Sequence, residues 1–137
     1  MPLNDAFYAT WAPRAQALLR IVTGYLYITH GTAKHFHVPH VASFDNLQVF
    51  SLLGLAGAIE LVGSVLLILG LFTRPAAFIM CGEMAVAYFM AHASQGHVLV
   101  PMLNRGELAV LYCFVFLFFA AAGPGAWSVD GMRRRTR

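Results

Sequence analysis

Residues 59–78 read IELVGSVLLILGLFTRPAAF. The apolar run before Thr73 is of helix length rather than strand length, and a second apolar run starts directly after Pro75. Only the dyad Thr73-Arg74 separates Phe72 from a proline, whose missing N–H costs little at a helix start. The stretch therefore predicts two antiparallel helices joined by a very short turn. In lipid every backbone polar group needs an internal partner, so such runs become helices packed as a bundle.

Working outward, apolar segments of similar length cover about 14–36, 49–72, 75–92 and 106–122. The expected fold is an all-α membrane protein: a single domain over residues 1–137 with four transmembrane helices in an antiparallel bundle. Pro13 and Pro101, like Pro75, lie at or just before expected helix starts, and residues 35–48 leave room for a surface loop or a short helix on the membrane. Gly123-Pro124-Gly125-Ala126-Trp127 ends the fourth span and places an indole at the interface. The N-terminal MPLNDAFYATWAPR has neither a basic-then-apolar signal nor an A-x-A site, so the first span is expected to stay in the fold.

Composition supports the bilayer as solvent. Of 137 residues, 59% are hydrophobic and 11% charged, with a mean hydropathy of +0.68. Nine Lys plus Arg and six Asp plus Glu are too few to cover a water-soluble domain of this size. The net charge of +3 owes much to Arg133, Arg134, Arg135 and Arg137 in the basic tail, residues 131–137, which reads as a topology and lipid-headgroup anchor and not as a nucleic-acid surface. Arg14, Arg74 and the tail lie on one side, with Arg20 just inside it, against Lys34 and Arg105 on the other. The positive-inside rule then puts both termini and the Arg74 turn of this multi-pass chain in the cytoplasm.

Polar groups inside the spans mark the candidate site. Arg20, Thr23, Tyr27, His30 and Lys34 recur at spacings of three and four, which puts them on one helix stripe facing the bundle. Glu60 shares its face with Gly57 and Ser64, and Glu83 and Glu107 sit on the third and fourth spans. At 1.5 Å per residue, Arg20 and Glu83 fall at about 10–12 Å from the inner ends of their spans and are expected to form a buried structural ion pair. Glu60 and Tyr27 fall at about 18–21 Å, and His30, His92 and Glu107 at about 22–26 Å. The expected outward-facing pocket contains Tyr27, His30, Lys34, Glu60, His92 and Glu107, with Arg105 at its rim. Such groups exchange protons with a quinone or hold a polar head group.

Other chemistries find weaker support. Cys81 and Cys113 lie in apolar runs without a C-x-x-C and read as small buried side chains. His35, His37 and His40, with Asp45 and His97 near, lack a fixed metal-ligand spacing, so no metal site is expected. His30 and His92 at similar depth are the only hint of haem ligation. The aromatic run Phe114, Phe116, Phe118 and Phe119 covers several faces and reads as lipid contact and packing.

The stretches LLRIVTGYLYITHGTAKHF (18–36), IELVGSVLLILGLFTRPAAF (59–78), EMAVAYFMAH (83–92) and NRGELAVLYCFVFLFFAAAGPGAWSVD (104–130) together resemble the DoxX family of small bacterial membrane proteins. The ordered GLFTRPAA-like turn, AYF-x-x-H ending and GPG-x-WS-x-D tail carry the resemblance. Arg105 departs from it, because the family pattern more often has Gly before the Gly-Glu pair. The resemblance implies a four-helix inner-membrane subunit of an oxidoreductase system; some relatives belong to thiosulfate:quinone oxidoreductases and others are tied to thiol and oxidative-stress systems. His30, Lys34, Glu60, Arg74, Glu83, His92, Asn104 and Glu107 match family-typical polar positions.

The expected function is an accessory membrane subunit that binds a quinone or similar lipophilic redox molecule. With no dinucleotide motif or cysteine pair in sequence, it would depend on a separate redox partner protein. The alternative is a non-enzymatic scaffold or small-molecule carrier, for which a homo-oligomer is expected.

Overall fold

The computed structural model describes residues 4–135, except for the side chain of Arg135. The first residues of the expected signal-free N-terminus and the last two of the basic tail lie outside the described residues. Five α-helices follow in order: α1, Asp5–Phe36; α2, Leu52–Leu69; α3, Thr73–Ala87; α4, Glu107–Ala122; and α5, Val129–Arg135. A π turn, Tyr88–His92, and a 3-10 turn, Ala93–Gln95, extend α3, and a 3-10 turn, Ala42–Phe44, lies in the segment between α1 and α2.

Helices α1 to α4 pack in alternating directions. Gly24 lies against Ser64 and Ile68 and Gly31 against Gly57 and Leu61, while Gly63 faces Met80 and Arg74 reaches the carbonyls of Ala120 to Ala122. Small residues allow the close approach of α1 to α2: a Cβ at Gly31 would stand 2.7 Å from the Leu61 side chain and 2.9 Å from the Gly57 carbonyl oxygen. Tyr27, Leu67, Met80, Met84, Phe116 and Phe119 fill the core. Large apolar side chains such as Val62, Phe78, Leu111 and Phe114 are exposed instead, as a bilayer-facing surface requires.

Two helical segments are long and apolar enough to cross a membrane: Leu52–Leu69, with a mean hydropathy of 2.3, and Thr73–Gln95, with 1.4. Helix α4 is equally apolar in character but has only 16 residues, about 24 Å. Helix α1 has 32 residues, and its Asp5, Arg14, Arg20 and Lys34 dilute its hydropathy.

Several boundaries differ from the expected ones. Helix α1 begins at Asp5 rather than near Arg14, with Pro13 inside it, because the Asn4 side chain accepts a 3.1 Å bond from the Phe7 N–H and caps the start nine residues before Pro13 would have. Thr73 and Arg74 are the first helical residues of α3 and not the turn. The chain reverses over Gly70 and Phe72, both in the left-handed region at φ 65° and 47°. At that start the acceptor comes from far along the chain: the Asp130 carboxylate accepts from the N–H groups of Phe72 and Thr73, each at 2.9 Å. The Asp130 N–H in turn donates to the Gly70 carbonyl.

Candidate functional site

The buried stripe of α1 is real for four of its five residues. Arg20, Thr23, Tyr27 and Lys34 are buried, whereas His30 is exposed at the edge of the Tyr27 and Tyr112 rings. Helix α2 answers with Glu60, 2% exposed, beside buried Gly57 and Ser64. Lys34 Nζ donates to Glu60 Oε1 at 2.5 Å, an ion pair shielded from solvent on both sides. Helix α3 contributes Glu83, whose Oε2 accepts from the Tyr27 hydroxyl at 3.1 Å. Tyr27 is locked in place by edge-on contacts with Tyr112 and Phe116, at 4.9 and 4.8 Å between ring centres.

Lys34, Glu60 and Glu83 share a cavity of about 420 Å³ between α2 and α3. Its remaining walls are apolar, among them Leu52, Ile59, Ile79, Met84, Val86 and Met90. That size and lining suit a small amphiphilic head group. Glu60 Oε2 and Glu83 Oε1 are buried acceptors that meet no donor among the described residues. A buried carboxylate oxygen without a donor is costly, so these two atoms mark where a ligand hydroxyl or amide would be held best.

The expected Arg20–Glu83 ion pair does not form. Arg20 lies level with Gly70, at the far end of α2, and its Nη2 donates to the Trp127 carbonyl at 2.8 Å. Helix α1 starts at Asp5, well before Arg14, and a rise of about 10 Å separates Arg20 from Tyr27, the residue that meets Glu83. The outer pocket is smaller than expected as well. Tyr27, Lys34 and Glu60 come together with Glu83; His30 meets them only at the rim, beside the Tyr27 ring at 5.9 Å between ring centres, and His92, Arg105 and Glu107 do not join them. His92 Nδ1 is 3.1 Å from the Asn104 carbonyl, and Arg105 and Glu107 are exposed, Arg105 with φ 59° in the turn before α4. The π turn at Tyr88–His92 widens the helix and breaks the regular rise of α3 at His92.

Asn104 has a structural role that its sequence context does not reveal. It is buried, donates toward the Tyr88 hydroxyl and the Gly96 and His97 carbonyls, and accepts from the Gly106 N–H at 2.9 Å, tying the outer loop to α4. The loop histidines have local partners: His40 Nε2 is 2.8 Å and His37 Nδ1 3.9 Å from Asp45, and His35 Nε2 is 2.9 Å from the Gly54 carbonyl. At the opposite end of α2 a cavity of about 740 Å³ is bounded by Arg14, Ile68, Leu69 and the Gly125–Met132 segment. Its arginine lies over the Trp11 ring at 5.0 Å.

The remaining charged side chains secure helix ends. Arg74 donates to the carbonyls of Ala120, Ala121 and Ala122, the unpaired acceptors at the end of α4. Gln16 donates to the Gly123 carbonyl at 2.7 Å and the Ala126 N–H to the Pro13 carbonyl at 2.9 Å, so the GPG-x-WS-x-D tail is a clamp across α1, α2 and α3. Partial burial raises the Asp130 carboxyl, but the hydrogen bonds from Thr73 and Phe72 and the nearby Arg134 outweigh it and hold the group below its ordinary value.

No solved structure matches the chain. An uncharacterized protein of Haemophilus influenzae (strain ATCC 51907 / DSM 11121 / KW20 / Rd) is 50% identical over 122 residues, which cover 88% of this chain and 91% of that relative. The DoxX family model matches residues 15–93, the segment that carries Tyr27, Lys34, Glu60 and Glu83, and the chain belongs to the DoxX family.

Proposed function

We propose that this DoxX-family membrane protein binds a quinone or a similar lipophilic redox molecule in the cleft between α2 and α3, as the membrane subunit of an oxidoreductase system. The observation that carries this reading is the pair of buried oxygens without a donor among the described residues, Glu60 Oε2 and Glu83 Oε1, on two residues that line a largely apolar cavity. A quinol presents two hydroxyl donors on a flat apolar ring, which matches that lining. Lys34 holds Glu60 and the Tyr27 hydroxyl holds Glu83, so both carboxyls are oriented before the ligand arrives. In oxidation of the quinol the carboxyls receive its protons, and its electrons pass to a separate redox protein, because this sequence has no dinucleotide motif. The ligand enters from the lipid.

All four long helices cross the membrane in this reading. Helix α1 does so with Arg20 and Lys34 turned inward, and α4 does so with its ends held by Arg74 and Asn104. Arg14, Arg74 and the tail arginines support an orientation with both termini on the cytoplasmic side of a bacterial inner membrane. A scaffold role is the second reading, favoured by the arginines and Asp130 that fasten helix ends.

The test uses the protein in lipid nanodiscs, titrated with decylubiquinol and decylubiquinone. Glu60→Gln and Glu83→Gln should each weaken quinol binding by about tenfold or more, the scale of one lost charge-assisted hydrogen bond, with helicity unchanged. Equal binding by both variants and the parent, or no binding by any of them, would overturn the quinone reading and leave the scaffold.

A further inference from the structure

Cys81 on α3 and Cys113 on α4 face each other with their sulfurs 3.6 Å apart, both side chains partly buried. They lie 32 positions apart in the chain, so the two small side chains expected in separate apolar runs are brought into sulfur contact by the packing of α3 on α4. Helix register explains the meeting. Arg74, at the head of α3, reaches Ala120 at the foot of α4, and two turns onward along α3 and two turns back along α4 lead to Cys81 and Cys113. Both pack against the core, Cys81 about 12 Å along α3 from Thr73 and Cys113 about 9 Å along α4 from Glu107. The pair thus sits within the apolar body of the bundle and away from both helix starts, beyond the reach of bulky aqueous thiol reagents.

We propose that Cys81 and Cys113 are a redox-active pair that an organic hydroperoxide dissolved in the lipid closes into an intramolecular disulfide, clasping α3 to α4. One sulfur attacks the terminal peroxide oxygen. The O–O bond breaks and an S–O bond forms, giving a cysteine sulfenic acid, and the thiol proton passes to the departing oxygen to give the alcohol. The second sulfur then forms the S–S bond and displaces the hydroxyl, which leaves as water with the second thiol proton. Two thiols and one hydroperoxide become one disulfide, one alcohol and one water, with two electrons passing from sulfur to peroxide. Closure draws the sulfurs inward by about 1.5 Å, to the ~2.05 Å of a disulfide. Contact with a resolving thiol in the same chain favours this bond over a link between molecules. The site is separate from the α2–α3 cleft and does not depend on the quinone reading.

The protein in phosphatidylcholine nanodiscs is treated with cumene hydroperoxide or, in parallel, with glutathione disulfide, then alkylated with N-ethylmaleimide for intact-mass and peptide analysis. With the hydroperoxide the mass should fall by the two hydrogens of the thiols, both alkylations should vanish together, and a Cys81–Cys113 peptide should appear and revert with a phosphine reductant. Glutathione disulfide should act about tenfold more slowly or less, since it stays in water. In Cys81→Ala, Cys113 should stop at the sulfenic acid and be trapped by dimedone. Any of four results overturns the proposal: no loss of thiols, independent alkylation of one thiol after oxidation, cross-linked dimers in place of the internal bond, or equal rates with both oxidants.

Discussion

Replacing Asp130 should loosen a helix start 57 residues earlier in the chain. Its carboxylate accepts from the N–H groups of Phe72 and Thr73 at 2.9 Å each, at the positive end of α3. Losing a cap of this kind costs about 1 kcal/mol, within a range of about 0.5–2, and losing the charge at a helix N-terminus adds about 0.3–1 kcal/mol. Asp130→Ala should therefore destabilise the fold by about 1.5–2.5 kcal/mol, roughly a 30-fold shift in the unfolding equilibrium at the midpoint of that range. Asp130→Asn keeps one acceptor and should lose about half as much. Because the folded carboxyl titrates below its ordinary value of 3.8, its contribution is complete above that pH and fades as the pH falls through the lower folded value. The parent should thus lose its advantage over Asp130→Ala only below about pH 4. Reversible unfolding in mixed detergent micelles measures this, followed by the fluorescence of Trp127, three residues away, in a Trp11→Phe background. An alanine variant as stable as the parent at pH 7, or a difference that persists unchanged at pH 2, would refute the capping role.

The same unfolding assay tests the buried charges and the turn after α2. Lys34→Met should cost about 3–5 kcal/mol, since it strands Glu60 inside the bundle, while Lys34→Met with Glu60→Leu should recover most of that loss. Additive single effects would mean the pair is not energetically coupled. Gly70→Ala should be destabilising by about 2 kcal/mol or more: its φ of 65° is left-handed, and a Cβ there would collide with Arg20 Nη1. A red shift of Trp127 emission should accompany it, as Arg20 releases the Trp127 carbonyl; unchanged emission would argue against that linkage.

Much of this protein is written in local pattern. The apolar runs around residues 59–78 determined helices, their antiparallel hairpin and a lipid-suited surface, because hydrophobic length and period act within a few turns of chain. The i, i+3, i+4 stripe from Arg20 to Lys34 likewise determined which face of α1 turns inward, and the inward face of α2 at Gly57, Glu60 and Ser64 was legible for the same reason. Only His30 escaped, being close enough to the stripe's edge to remain exposed.

What the pattern could not determine is which inward groups meet. Depth counted along separate helices accumulates error from every unread start and every irregular turn, so the Asn4 cap and the Tyr88–His92 π turn were enough to separate Arg20 from Glu83 and His92 from the cleft. The tertiary structure alone decided that Glu83 joins Tyr27 beside the Lys34–Glu60 pair, that Cys81 touches Cys113, and that Asp130 caps α3. These partners lie 26 to 58 positions apart. Their pairing follows from helix register and close approach, which depend on the packed whole and leave no mark in any one stretch of sequence.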